Sequence, residues 1–230
     1  MKKSAIALAA ISLIVTGVAG ALTIDEFNAG EMSIIAVGPP PRPNQAEALP
    51  VADVLGGARK LRLTNVTGTS NARRAMVLVN DEGSHSLSVS NDDLVNSRIT
   101  VIWDGSTANP NTVVTNGLGG IDLTAGGGTA FVLSIPSIDQ HAVVDLTVWA
   151  GGAPVTVRQT FLEQTPEYRI AFARFSGIDF SQVGAIQMVF SGPASWDGSI
   201  LLAKTDAPAP ATIALMTIGL LGLSRTRRCR

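Results

Sequence analysis

Apolar residues along this chain come in short bursts. Between residues 22 and 206 they recur as alternating or continuous runs of about five to eight residues. These include 60–64, 75–79, 87–89, 99–103, 129–135, 143–149, 155–161, 169–175, 185–190 and 200–204, each bounded by Gly, Asn, Asp or Pro. That spacing and punctuation predicts strand after strand. The alternation is cleanest in Val144-Asp145-Leu146-Thr147-Val148, where every second residue suits a buried face. Its return partner reads Val155-Thr156-Val157-Arg158-Gln159-Thr160, and Gly151-Gly152 between them permits a hairpin turn. No long stretch of 3.6-residue periodicity interrupts the series. The expectation is an all-β, antiparallel two-sheet β-sandwich, jelly-roll-like.

The two ends break the pattern. Lys2 and Lys3 precede an apolar run over residues 6–18 and the small-residue site Ala19-Gly20-Ala21. This is the layout of a Sec-type signal peptide cleaved after Ala21, because the run is too short to span a bilayer as a retained helix. At the other end, Ala207-Pro208-Ala209-Pro210 leads into the 14 uncharged residues 211–224, and then Arg225, Arg227, Arg228 and Arg230. A 14-residue helix rises about 21 Å against a hydrocarbon core of about 30 Å, so it is a shallow membrane helix. The arginines extend its reach by snorkelling and stay in the cytoplasm by the positive-inside rule. The predicted organisation is a signal peptide and helix over 1–21, a β-sandwich domain over 22–206, and a sorting tail with a short transmembrane helix over 207–230.

This tail resembles the PEP-CTERM sorting signal of exported proteins of Gram-negative bacteria. It has the Pro208-Ala209-Pro210 motif, an apolar segment containing Gly219-Leu220-Leu221-Gly222-Leu223, and an arginine-rich end. Ala209 stands where that family has Glu. The resemblance implies recognition by an exosortase-like membrane protease, transient anchoring in the inner membrane, and a destination at the cell surface or outside the cell. The body is similar to a recurrent group of such exported proteins. The similarity is carried by Thr23-Ile24-Asp25-Glu26-Phe27-Asn28, Gly56-Gly57-Ala58-Arg59-Lys60-Leu61, Val101-Ile102-Trp103-Asp104-Gly105, Leu118-Gly119-Gly120-Ile121-Asp122-Leu123 and Asp179-Phe180-Ser181-Gln182-Val183-Gly184-Ala185-Ile186, and ends with Trp196-Asp197-Gly198. It implies a β-sandwich and brings no activity with it.

Composition sharpens this picture. Without 1–21 and 207–230 the body has 185 residues, enough for one domain with a substantial core. Two lysines leave with the front and four arginines with the back, so 11 basic residues face all 18 acidic ones and the body carries about −7. That argues against nucleic acid or anionic surfaces as partners. The only cysteine, Cys229, lies in the tail, so the body has neither a disulfide nor a thiolate-ligated metal.

Candidate chemistry is thin. Trp103-Asp104-Gly105 and Trp196-Asp197-Gly198 repeat a pattern with two readings. Each Trp either ends a strand in the core with Asp-Gly making the turn, which needs nothing extra, or presents its ring to a sugar. Trp149, before Gly151-Gly152, is read in the same way. Asp25, Asp122, Asp139, Asp179 and Asp197 lie at strand ends or in loops, where calcium is the candidate cation. No segment has the dense Asp-x-Asp-x-Asp-Gly spacing of a calcium loop, and solvated turns explain these acids equally well. The two histidines, His85 and His141, have no triad spacing to a serine and an acid. Gly117–Gly120 and Gly126–Gly128 open no helix with a Lys-Ser/Thr pair, which excludes a phosphate loop. Residues 38–43, rich in proline, read as an exposed connector with polyproline character. The expected function is a non-enzymatic surface or biofilm-matrix protein without a cofactor. The alternatives are a module that binds exopolysaccharide and, resting only on scattered acids, a matrix hydrolase.

Overall fold

A computed structural model describes residues 20–37, 44–68, 73–162 and 164–206. The signal peptide through Ala19, the proline-rich connector and the sorting tail, with Pro208, Ala209, Pro210 and its arginines, lie outside the described residues. In chain order the strands are β1 (Thr23–Asp25), β2 (Met32–Val37), β3 (Gln45–Pro50), β4 (Ala58–Thr67), β5 (Arg74–Val79), β6 (Leu87–Asn91), β7 (Asn96–Trp103), β8 (Ala130–Ile135), β9 (Ser137–Ile138), β10 (Ala142–Trp149), β11 (Val155–Phe161), β12 (Thr165–Ala171), β13 (Ala185–Ser191), β14 (Gly198–Ile200) and β15 (Leu202–Thr205). All pairing is antiparallel. No helix among the described residues is long and apolar enough to cross a membrane.

One layer is a six-stranded sheet, β11-β10-β13-β7-β4-β3. The other is built from a five-stranded sheet, β2-β5-β6-β14-β9, and a four-stranded sheet, β1-β15-β8-β12. These two share a seam. β8 runs into β9 across Pro136, and β14 runs into β15 across Leu201, whose N–H donates to the Ser134 carbonyl at 3.0 Å. The layer bends there because proline cannot donate to the ladder. The result is an all-β sandwich around one core, in which Leu61, Leu63, Ile99, Val101, Val144, Leu146, Ile186 and Met188 meet Ile34, Val77, Leu87, Phe131 and Leu133. The β10–β11 hairpin has the expected register, with Val148 opposite Val155 and Val143 opposite Thr160.

Two expected runs are divided. The run 169–175 is strand only to Ala171. Phe172–Arg174 then forms a 3-10 turn. That turn lets Phe172 stack on Phe180 with centroids 3.9 Å apart, while Phe131 packs edge-on against Phe172, Phe175 and Phe180. Aromatic pairs contribute about 0.5–1.5 kcal/mol each beyond burial, and the turn brings Phe172 and Phe175 into this cluster together. The run 200–204 is broken at Leu201 by the bend. The body also closes on itself. The Leu22 N–H donates to Thr205 Oγ1 at 2.9 Å, and the Thr205 N–H donates to the Leu22 carbonyl at 2.8 Å.

Candidate functional site

The period-two rule places half of each six-stranded-sheet residue set in the core and half on the outer face. The outward set is Lys60 and Arg62 on β4, Arg98 and Thr100 on β7, Gln187 on β13, Asp145, Thr147 and Trp149 on β10, and Thr156 and Arg158 on β11. Pairing aligns them in rows. Arg158, Asp145, Val189, Thr100 and Arg62 form one row, and Thr156, Thr147, Gln187, Ile102 and Lys60 form the next. Thr100, Thr147 and Asp145 are only 3%, 7% and 8% exposed although they face away from the core. This outer face is therefore a sheltered trough. The Arg158 fork donates to Asp145 at 2.7 and 2.9 Å, and the Thr147 and Thr156 hydroxyls are bonded at 2.8 Å. Arg62 donates from Nη1 to the Asn111 carbonyl at 3.1 Å and from Nη2 to Gln187 Oε1 at 3.2 Å. The Arg158 hydrogen bond holds the Asp145 carboxyl below the usual range against the opposing pull of burial. Burial, reinforced by Arg98, pushes the Arg62 guanidinium down.

One end of the trough is covered by the long connection between β7 and β8. A buried ion pair pins it. Lys60 Nζ donates to Asp104 Oδ2 at 2.7 Å and to the Thr112 carbonyl at 3.1 Å. Asp104 also accepts from the Val114 N–H at 2.7 Å and the Ser106 N–H at 3.2 Å. Backbone bonds from Leu118 N–H to the Gly184 carbonyl and from Gly184 N–H to the Trp149 carbonyl then join the connection to β13 and β10, at 2.9 and 2.8 Å. Gly184 is needed for this approach, because a Cβ there would run into the Thr115 carbonyl.

Between this connection and the β10–β11 turn lies a cleft of about 610 Å³. Its side chains are Thr115, Asn116 and Gln182, and the rest of its wall is glycine backbone at Gly119, Gly120, Gly151, Gly152 and Gly184. No charged residue lines it. Gly152 stands apart from the others. Its φ is not positive, and a Cβ there would meet nothing within 4 Å. Nothing in the fold demands glycine at 152, and its effect is to leave the cleft open.

The tryptophans singled out by sequence lie elsewhere. Trp103 is 1% exposed and donates from Nε1 to Asp25 Oδ2 at 2.9 Å, and the same carboxylate takes the Arg59 fork at 2.6 and 2.5 Å. Trp196 is 2% exposed in the core, and its Nε1 has no acceptor. Neither offers a ring face to solvent; Trp103 ends β7 as the turn reading has it, whereas Trp196 lies in the core just ahead of β14, which Gly198 begins. Asp104 holds its turn by accepting from the Ser106 N–H at 3.2 Å, whereas Asp197 ties the start of β14 to β6 by accepting from the Asn91 N–H at 2.7 Å. Trp149, on the outer face two residues before Gly151, is the half-buried one.

The acids considered for calcium are dispersed. Asp25 is in the core pair with Arg59. Asp122 and Asp179 accept from Thr124 and Ser181 in their own turns, and those bonds lower both carboxyls. Asp139 accepts from the Asp197 N–H at 2.7 Å. Among the described residues no three His, Cys, Asp or Glu side chains gather where they could hold a metal. His85 and His141 are exposed and separate, and Ala21 is exposed beside the start of β1. The residues that sequence reasoning missed are Thr115, Asn116, Gln182, Arg62 and Gln187. For Arg62 and Gln187 the signal was a polar residue at an outward position of a central strand; Thr115, Asn116 and Gln182 lie in loops, where no local pattern marks them.

No family model matches this chain, and no curated protein does. Among solved structures, it is similar to the family 11 carbohydrate-binding module from Clostridium thermocellum in complex with a β-1,3-1,4-mixed-linked tetrasaccharide. Identity is 10%, the TM-score is 0.36, and the match covers 82% of this chain and 96% of that one. It is also similar to the family 11 carbohydrate-binding module of a cellulosomal cellulase of Clostridium thermocellum, with 10% identity, a TM-score of 0.39, and coverage of 82% and 95%. Likeness at this level assigns no residue and no ligand to this chain.

Proposed function

We propose that this is an exported, non-enzymatic, jelly-roll-like sandwich that holds polysaccharide in the outer-face trough and its end cleft. The observation that carries the reading is the cleft lining. Hydroxyl, amide and bare backbone groups both donate and accept, with no charge among them, which matches a neutral polyhydroxylated ring. Half-buried Trp149, on the outer face two residues before Gly151 and outside the cleft lining, is the candidate stacking platform. The signal pattern before Leu22 and the PEP-CTERM-like tail after Asp206 support delivery by an exosortase-like system to the cell surface or matrix. The two ends of the body meet at Leu22 and Thr205, so both sorting segments leave from one place.

The test is titration of the exported protein with neutral polysaccharides, followed by tryptophan emission. The Gly152→Val variant, which puts a branched side chain on the cleft wall, should weaken binding about tenfold, the loss of about 1.4 kcal/mol. Binding unaffected by that change, or no binding to any polysaccharide, overturns the reading. Intact mass after fractionation tests the export half, which expects Leu22 at the new N-terminus. A cytoplasmic protein still carrying residues 1–21 refutes it.

A further inference from the structure

The trough is not neutral along its whole length. Pairing sets Arg62 opposite Thr100 and Thr64 opposite Arg98, so the two arginines are diagonal neighbours on one face. Diagonal neighbours lie about 7–8 Å apart at the backbone, within reach of one another for side chains this long. Along the rows they are flanked by Thr100, Thr64 and Ser191, none of them acidic. The nearest acid on the face, Asp145, accepts its hydrogen bonds from the Arg158 fork and interacts with Arg98 only through a weaker charge attraction. Among the described residues no carboxylate pairs with Arg62 or Arg98, and Arg62 Nε is buried with no acceptor. Like charges placed together disfavour folding, and a body carrying about −7 has acids to spare for neutralising them. Burial pushes the Arg62 guanidinium down, and the neighbouring charge of Arg98 acts in the same direction.

We propose that Arg62 and Arg98 form an anion subsite in the trough, so that the polysaccharide held there is acidic, carrying a carboxylate or a sulfate ester. This rests on the trough being the polysaccharide site. The exposed Arg98 fork matches both anions in shape and bonds them in pairs, while Arg62, whose Nη groups already donate to Asn111 and Gln187, adds its charge beside it. Gln187, which accepts from Arg62, is three residues along β13 from Gly184 in the cleft, roughly 10 Å at strand rise. One short stretch of polymer therefore reaches the uncharged cleft and the arginines together. At physiological ionic strength the Debye length is about 8 Å, so the negative charge of the body as a whole is screened from the polymer while contact at the subsite is screened far less.

The experiment titrates the full exported protein with three polymers at physiological salt: polygalacturonate, its carboxyl-reduced neutral counterpart, and dextran sulfate. At least one anionic polymer should bind about tenfold more tightly than the neutral one, the worth of one charge-assisted hydrogen bond. Arg98→Gln should abolish that preference, and Arg98→Lys should keep part of it. Arg98 is exposed, so a melting temperature within about 2 °C of the parent confirms that the variants fold. Preference for polygalacturonate identifies the anion as carboxylate, and preference for dextran sulfate as sulfate. Equal affinity for neutral and anionic polymers overturns the subsite while leaving the polysaccharide reading intact. An acid preference that survives Arg98→Gln also overturns it. Binding of none of the three overturns both.

Discussion

Lys60→Met removes one ammonium and keeps the apolar stem. Both members of the Lys60–Asp104 pair are essentially inaccessible, and the Nζ–Oδ2 distance is 2.7 Å. After the change Asp104 keeps only the Val114 and Ser106 N–H groups, and the Thr112 carbonyl loses its donor. Breaking a buried pair from one side costs about 3–5 kcal/mol, because the remaining charge stays desolvated. In a domain of this size 1 kcal/mol moves the melting temperature by roughly 2–4 °C, so the expected fall is about 6–20 °C. The penalty is capped, however, by the free energy needed to open the β7–β8 connection alone and let water reach Asp104. A smaller fall must then come with fast amide exchange at Val114 and Leu118 and with loss of polysaccharide binding, since that connection walls the cleft. Lys60→Met combined with Asp104→Asn should regain part of the loss, because a buried amide costs less than a buried carboxylate. Thermal melts and hydrogen exchange read both outcomes. A single variant that melts within about 2 °C of the parent, exchanges normally and binds normally refutes the pinning role.

Three further outcomes follow from single contacts. Burial alone would push the Asp206 carboxyl up, but bonds from Thr129, Ala130 and Arg169 outweigh it and hold it at about 2. A depressed carboxyl stabilises the fold above its ordinary value near 3.8 and loses that contribution as pH falls through about 2. Asp206→Asn should therefore cost roughly 2 kcal/mol at neutral pH and flatten denaturation midpoints between about pH 4 and 2, and an unchanged acid limb refutes this. Gly184→Ala should destabilise by 2 kcal/mol or more through its clash with the Thr115 carbonyl, whereas Gly152→Ala should fall within about 0.5 kcal/mol; equal urea midpoints would contradict the distinction. Trp103→Phe should cost about 1–2 kcal/mol more than Trp196→Phe, because only the former deprives a buried carboxylate of a donor, and comparison of the two by chemical denaturation decides it.

The sandwich was legible where one local rule governed. The β10–β11 hairpin follows from Val144, Leu146 and Val148 alternating with polar residues up to a glycine pair. Trp103-Asp104-Gly105 ends β7 and turns because Asp104 caps its own loop, while the matching Trp196-Asp197-Gly198 leads into β14 and its aspartate reaches Asn91 instead. Legibility failed where distant contacts decide. The apolar run after Arg169 turns at Phe172 to reach Phe131 and Phe180, a partnership no local window contains. β2 alternates, but Ile35 and Val37 on its exposed side mask the pattern. Adjacent Arg59 and Lys60 point to opposite faces of β4 and find Asp25 and Asp104, 34 and 44 residues away in sequence.

The site was illegible for a related reason. A search for chemistry in sequence favours tryptophans, histidines and clustered acids, and in this fold those residues make the scaffold. Arg59, Lys60, Arg158 and Arg169 each have a carboxylate, which suits a body that has no disulfide and fixes its layers and ends by packing and buried charge. Among the described residues four cations have no bonded carboxylate, Arg62, Arg98, Arg174 and Lys204, and of these Arg62 and Arg98 are neighbours on one sheet face. Arginines that only decorated a surface would be scattered, and arginines that held the fold would be paired. Arg62 and Arg98 are neither: they share one face, beside a threonine-lined trough, next to an acid hydrogen-bonded to Arg158. Two neighbouring guanidiniums without a bonded carboxylate, in a body with an excess of acids, are the ground for the proposed anion subsite, and Arg98→Gln is the change that decides it.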